Sequence, residues 1–213
     1  MKKIIGIRAL SVLLALVLVS VVIVPAVSAE KTANISAFFN EMGGKEVSTG
    51  EYLEVVNPDY FSRLTEDQKA QFYAMKVTVP DLSQDVTKTS GKCEAKGTSQ
   101  TKSIITYSVW NTVDIGPIPY GINWFANSRA SCIFPDMHVT AQLFYSSDEN
   151  SWSQVDTGSA NGYWTNFVET LKVKWFPSQG YYKVVSSHWG TFPAGAIPQA
   201  YSQILQTGSM YYS

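Results

Sequence analysis

The chain has 213 residues, of which 45% are hydrophobic and 15% charged, and its formal net charge is −1. This apolar content is enough to build a folded core, so the composition excludes a disordered chain. The near-zero charge also argues against a nucleic-acid-binding protein, because such proteins need a basic excess to neutralise phosphates.

Residues 1–29 have the pattern of a secretory signal peptide. Three basic residues precede an uncharged apolar run: Lys2, Lys3 and Arg8. The run covers residues 9–24, and small residues then lead to a predicted cleavage between Ala29 and Glu30. An uncleaved anchor is the alternative, although these 16 residues are fewer than the ~20 that a spanning helix needs.

Cleavage at this position would leave 184 residues, with 13 Lys and Arg against 17 Asp and Glu. This mild acidity favours a protein that dissolves outside the cell and disfavours attachment to anionic lipid. We therefore predict a secreted or cell-surface protein with no stable transmembrane anchor after cleavage.

The two cysteines of the chain, Cys93 and Cys132, both lie in the exported part. An even number of cysteines in an oxidising compartment predicts a disulfide between them. Such a bond would close a loop of 40 residues and stabilise the fold by about 4 kcal/mol. Two free thiols, or a thiolate nucleophile with a nearby histidine, are the alternatives.

Residues 30–82 are predicted to form a helical N-terminal segment. Asn57 and Pro58 have the types that start a helix, and Thr65 with Gln68 has the spacing of a capping box. A glycosylation sequon begins at Asn34. The polar residues 83–103 are predicted to be an exposed linker or an edge strand; the alternative is a processing site that releases a pro-segment.

Residues 104–213 show the two-residue periodicity of β-strands. Short alternating runs rich in aromatic and β-branched side chains are separated by turn-forming residues at intervals of roughly ten residues. No helical pattern interrupts them, so we predict a mainly β protein with an antiparallel β-sandwich over this range.

Two segments resemble immunoglobulin and fibronectin-III type sandwiches. Residues 180–184, with the sequence Gly-Tyr-Tyr-Lys-Val, resemble the late strand of those domains, and the polar turn before Trp152 resembles a central hairpin. The resemblance implies a tyrosine that hydrogen-bonds back across the corner at the start of that strand. It implies no activity, and it departs from antibody domains because no cysteine follows on the Tyr182 strand.

The sequence contains no established catalytic motif and only two histidines, His138 and His188. A zinc site would need further ligands, of which Asp136 beside His138 is one candidate. Ser186 and His188 share a strand face, but no aspartate is identified to orient the histidine. We therefore predict hydrogen-bonded or solvent-facing histidines and no catalytic residue, metal or cofactor.

Two aromatic segments contain glycine and proline, over residues 116–125 and 189–198. Loops at the same end of the sandwich would bring four rings into one recognition surface: Tyr120, Trp124, Trp189 and Phe192. The alternative is that these segments fold back and cover the core.

Together these features predict an exported, non-catalytic binding or envelope-associated protein whose partner is a glycan, a protein or an envelope surface. A membrane-active secreted toxin or bacteriocin-like protein is one alternative. A secreted hydrolase is another, because the sequence does not identify which two of its 17 acidic residues would form a catalytic pair.

Overall fold

The structure is a computed structural model that describes residues 34–85, 87–98 and 104–213. The predicted signal peptide and its cleavage site at Ala29 and Glu30 lie outside the described residues. Across the described ranges, no helix is long and apolar enough to cross a membrane.

Residues 34–78 contain four helices and two short strands. In chain order they are α1 (residues 34–42), β1 (Glu46–Ser48), α2 (Thr49–Val56), α3 (Pro58–Phe61), α4 (Glu66–Ala74) and β2 (Lys76–Thr78). Strands β1 and β2 pair antiparallel, and the sequence did not predict them.

The predicted helix starts are confirmed. Asn57 accepts a hydrogen bond from the Tyr60 amide, and Pro58 occupies the first turn of α3. Thr65 and Gln68 form the reciprocal capping box of α4. Local side-chain chemistry therefore determines where these helices begin.

Seven of the described strands form one antiparallel sheet. They are β3 (Ser90–Thr98), β4 (Ile104–Ile118), β5 (Gly121–Ser146), β6 (Ser153–Trp175), β7 (Gly180–Thr191), β8 (Ala200–Gln206) and β9 (Met210–Tyr212). Strand β5 is central: β6 pairs along one edge, while β4 and then β7 pair along the other. Among the described strands, β6 pairs with β5 alone.

The long hairpin of β5 and β6 bends in the middle and folds the sheet onto itself. The pairing register shifts between Arg129 and Phe134 of β5, which marks the bend. The first half-sheet contains β3, β4 and the residues of β5 and β6 on one side of this bend, 121–130 and 167–175. The second half-sheet contains their remaining residues with β7, β8 and β9.

The inner sides of the two half-sheets face each other. A Cβ atom at Gly158, in the second half-sheet, would lie 2.5 Å from Thr170 Oγ1 and 3.2 Å from Trp124 in the first. A side chain at this position would force Thr170 to move, so the glycine permits the close approach of the two half-sheets. Backbone hydrogen bonds between Lys88 and Gln206 and between Lys96 and Ile197 join the far edges, so the sheet is curled.

The helices cover the outer side of the second half-sheet. Phe39 of α1 packs against Phe144 of β5 with ring centroids 5.0 Å apart. The Tyr52 hydroxyl of α2 hydrogen-bonds the Ser187 hydroxyl of β7 at 2.6 Å. These contacts form a second core outside the sheet, distinct from the inner core around Trp124.

The prediction of a mainly β, antiparallel fold is confirmed, whereas the immunoglobulin or fibronectin-III type of sandwich is not. Strands β3 to β9 belong to one continuous sheet, and β5 and β6 have 26 and 23 residues. One implied detail is present, since Tyr182 Oη donates to the carbonyl oxygen of Ser178 at 2.8 Å. The polar stretch predicted as linker or edge strand contains β3.

The predicted disulfide is wrong, because Cys93 and Cys132 are both free thiols. Cys93 of β3 pairs with Val109 of β4, which pairs with Ala130 of β5, so the cysteines lie two strands apart. Two strand spacings are about 10 Å, which is beyond the ~7 Å that a disulfide spans between Cα atoms.

We expect Phe144→Ala to destabilise the whole protein by about 3–5 kcal/mol, because it removes a buried ring shared by helices and sheet. Guanidinium unfolding followed by far-UV circular dichroism and by tryptophan fluorescence would give coincident transitions. Leu171→Ala, at an exposed position, serves as the control and should cost less than about 1 kcal/mol. Separate transitions for the two signals would contradict a shared core.

We expect one thiol to react fast and the other slowly with a thiol reagent at pH 8. Cys132 is exposed, whereas burial raises the pKa of the Cys93 thiol to about 11. Cys132→Ser should remove the fast phase and Cys93→Ser should preserve it. An unreduced intact mass that lacks two hydrogens would show a disulfide and refute this assignment.

Candidate functional site

The four rings predicted as a recognition surface do not form one. Trp124, Trp189 and Phe192 are 0%, 1% and 3% exposed, whereas Tyr120 is 74% exposed. Trp124 and Phe192 belong to the inner core, and Trp189 lies beneath the helices. Their burial leaves Tyr120 as the one member able to meet a partner through its ring.

The two aromatic segments are buried for different reasons. Residues 116–125 form a hairpin between β4 and β5, in which Trp124 lies opposite Ile115 on the inner side. Phe192 packs against Phe134 and Tyr201, with ring centroids 5.3 and 5.4 Å away. The alternative that these segments cover the core therefore describes Trp124 and Phe192 correctly.

A cluster of exposed apolar side chains lies instead on the outer side of the first half-sheet. We call this surface the uncovered face, since no described helix packs on it. Five partly exposed members lie on its strands: Trp110, Phe167, Leu171, Val173 and Trp175. They lie on one side because β4, β5 and β6 pair in register, with Trp110 opposite Arg129 and Arg129 opposite Phe167.

Polar side chains separate the rings of the uncovered face. Arg129 lies between Trp110 and Phe167, and the next row contains Asn127 and Glu169. The row after that places Asp114 beside Phe125 and Leu171. Lys92 Nζ lies 5.5 Å from the Trp110 ring centroid. The face therefore offers flat apolar rings with hydrogen-bonding groups between them.

One end of the uncovered face carries a pair of strongly exposed rings, Tyr120 and Phe176. The Phe176 amide donates to the Tyr120 carbonyl oxygen at 2.8 Å, and the ring centroids are 6.4 Å apart. Their φ angles are +62° and +50°, and such a conformation costs bulky residues about 1–3 kcal/mol each. The backbone is therefore strained at Tyr120 and Phe176, although burial of their rings contributes little stabilisation.

The sequence indicated part of this surface. The alternation of Leu171, Val173 and Trp175 with Lys172 and Lys174 is visible in the sequence and predicts a strand. It does not show which side of that strand faces solvent, because that depends on where the helices dock. The sequence therefore does not distinguish these strand residues from the loop residues that it predicts as a recognition surface.

His188 lies inside the inner core between two serine hydroxyls. Ser128 Oγ is 2.9 Å from Nδ1, and Ser186 Oγ is 2.8 Å from Nε2. The predicted shared face of Ser186 and His188 is confirmed. Burial lowers the pKa of His188 to about 3, so the ring is neutral at physiological pH. No described acidic group contacts this ring, which leaves it without the orienting partner of a triad.

His138 lies on the opposite side of the sheet, beneath the helices. Its Nε2 is 3.2 Å from Asp136 Oδ2, and its Nδ1 is 2.9 Å from Asn161 Oδ1. The prediction of hydrogen-bonded histidines is confirmed for both rings, and neither faces solvent. Within the described ranges, no group of three or more His, Cys, Asp or Glu residues could hold a metal ion.

The glycosylation candidate Asn34 is exposed on α1, and the hydroxyl of Ser36 accepts a hydrogen bond from the backbone amide of Gln154 at 3.0 Å.

Comparisons with protein-family models, curated proteins and solved structures gave no match. We therefore infer function from the residues of this chain.

We expect His188 to destabilise the fold as the pH falls below about 6.5. The unfolded histidine binds a proton below about pH 6.5, whereas the folded one does so only near its pKa of about 3. The contribution of His188 to the free energy of unfolding is therefore fully present above about pH 6.5. It is lost as the pH drops towards 3, by about 2 kcal/mol between pH 7 and pH 5. Urea unfolding at both pH values measures this loss, and His188→Gln should remove it. An equal loss in the variant would show that other groups are responsible.

Proposed function

We propose that the protein is an exported, non-catalytic binding protein whose uncovered face binds an extended glycan. The observation that carries this proposal is the alternation of exposed rings with hydrogen-bonding side chains across β4, β5 and β6. Sugars present apolar C–H surfaces and many hydroxyl groups, so they need both kinds of contact at short intervals.

The rings supply the apolar contacts. Trp110, Phe167 and Trp175 expose flat surfaces that can stack on sugar faces without a charged group on the ligand. Arg129, Asn127 and Glu169 lie in the rows beside them and would meet the hydroxyl groups. Aromatic anchors surrounded by polar groups are typical of binding surfaces.

The size of the face favours a chain of sugars. Residues 167–175 of β6 form one continuous strand beside β5, and they span about 27 Å at ~3.4 Å per residue. A single small molecule would contact only part of this length. A polysaccharide lying along β6 could contact Phe167, Leu171 and Trp175 together.

The charges of the face argue against lipid as its partner. Asp114, Arg129 and Glu169 lie among the rings, and transfer of ionised groups into hydrocarbon is costly. Glycan hydroxyls would instead hydrogen-bond these groups while they remain hydrated. The same groups that disfavour membrane insertion thus favour a polyhydroxylated ligand.

A membrane-active protein is a second candidate, supported by the end of the face. Tyr120 and Phe176 are 74% and 80% exposed and lie next to Trp175. Aromatic residues clustered at a tip are suited to the interface between lipid headgroups and hydrocarbon. This candidate would use the tip alone, with the charged rows outside the bilayer.

We expect Phe167→Ala and Trp175→Ala to weaken retention on an insoluble polysaccharide about tenfold each, because each removes a stacking ring worth about 1.4 kcal/mol. Pull-down on chitin, cellulose and peptidoglycan would measure this retention. Tyr211→Ala is the matched control, since Tyr211 is exposed but lies on β9 of the second half-sheet. Equal retention of all three variants would refute the proposed face.

Vesicles of phosphatidylcholine and phosphatidylglycerol distinguish the second candidate. Leakage that Tyr120→Ser with Phe176→Ser abolishes, without retention of the wild-type protein on any polysaccharide, would replace the glycan proposal by membrane activity. Intact vesicles together with polysaccharide retention would support the proposal.

A further inference from the structure

A second surface with ligand-binding chemistry lies on the other side of the molecule. A cavity of about 370 Å³ opens between α3, the start of α4 and the outer side of β5 and β6. It lies within the second half-sheet, separate from the uncovered face. Its volume is within the usual range of sites for small molecules.

The lining of this cavity is predominantly polar. Nine of its ten lining residues carry hydrogen-bonding side chains, the exception being Leu64. The lining includes two tyrosines, Tyr60 and Tyr163, and two side-chain amides, those of Gln68 and Asn161. A site of this composition suits a ligand that combines hydroxyl groups with small apolar surfaces.

The floor of the cavity is held in place by a buried network. His138 bridges Asp136 and Asn161, and it stacks on Trp189 with centroids 5.7 Å apart and planes 10° from parallel. Asp136 also accepts hydrogen bonds from the amide and hydroxyl of Thr191. These contacts fix the ring of His138 and the amide of Asn161 before any ligand arrives.

The network also keeps the Asp136 carboxyl of the floor ionised. Burial raises the pKa of the Asp136 carboxyl, but hydrogen bonds from His138 and Thr191 outweigh it, so the pKa lies below its usual value. The carboxylate is thus already compensated by protein groups. At the rim, Asp59 and Arg63 carry opposite charges. This balance favours a neutral ligand over an ion.

Two aromatic side chains pack against His138. The ring centroids of Tyr60 and Trp189 lie 4.3 and 5.7 Å from that of His138, and 5.4 Å from each other. Their polar atoms, Tyr60 Oη and Trp189 Nε1, are fully buried. A ligand in the cavity would therefore change the surroundings of the Trp189 indole through the Tyr60 ring rather than by direct contact.

We propose that this cavity binds one neutral sugar unit through Tyr60, Tyr163 and Asn161. The tyrosine rings contact the apolar face of the sugar, and the exposed Asn161 amide bonds its oxygen atoms. Asp136 and His138 act as positioning residues that hold Asn161. The proposal does not depend on a glycan at the uncovered face, since the two sites share no residue.

The test is titration of the ¹⁵N-labelled protein with methyl glycosides of glucose, galactose, mannose and N-acetylglucosamine. Concentrations of about 10 mM detect millimolar dissociation constants. We expect at least one glycoside to shift the indole N–H signal of Trp189, which Trp189→Phe assigns. Tyr163→Ala, at an exposed position, and Asn161→Ala should each weaken this binding at least tenfold.

Trp175→Ala is the matched control and should preserve the titration, which separates this proposal from the one for the uncovered face. Tyr163→Ala keeps the test valid if Asn161→Ala fails to fold. Absence of any shift at Trp189 with all four glycosides would overturn the proposal. Binding that Trp175→Ala abolishes but Tyr163→Ala preserves would also overturn it, by placing the sugar on the uncovered face.

Discussion

The bend in the β5–β6 hairpin is the constraint on which the rest of the structure depends. Because β5 is paired on both edges over residues 121–129 and 136–145, a bend between these two stretches turns the neighbouring strands with it. The bend brings the two inner sides together around Trp124 and leaves two outer sides. The outer side of the second half-sheet packs against the helices through Phe39 and Phe144. The outer side of the first half-sheet, the uncovered face, exposes its rings to solvent.

Features that depend on neighbouring residues in the chain were predictable from the sequence. The caps at Asn57 and Thr65 need only side chains within three residues, and the strand periodicity after residue 104 reflects local alternation. The disulfide was not predictable in this way, because compartment and cysteine count contain no information on strand order. Strand β4 lies between the strands of Cys93 and Cys132, so the two cysteines are two strand spacings apart.

The candidate sites were predictable only in part, for the same reason. Aromatic abundance drew attention to the β region, but Trp124 and Trp189 belong to two cores, and exposed Trp175 looks no different from them in the sequence. The cavity near His138 combines α3 with β5 and β6, whose residues are far apart in the chain. A site assembled by tertiary packing leaves no short motif.

The central claim is that the two outer sides of the curled sheet differ in their access to solvent. A soluble paramagnetic probe tests it directly, through broadening of the six tryptophan indole signals in the full chain. We expect strong broadening for Trp110 and Trp175, and almost none for Trp124 and Trp189. Equal protection of Trp110 and Trp175 would contradict the account, since it would mean that the first half-sheet is covered as well.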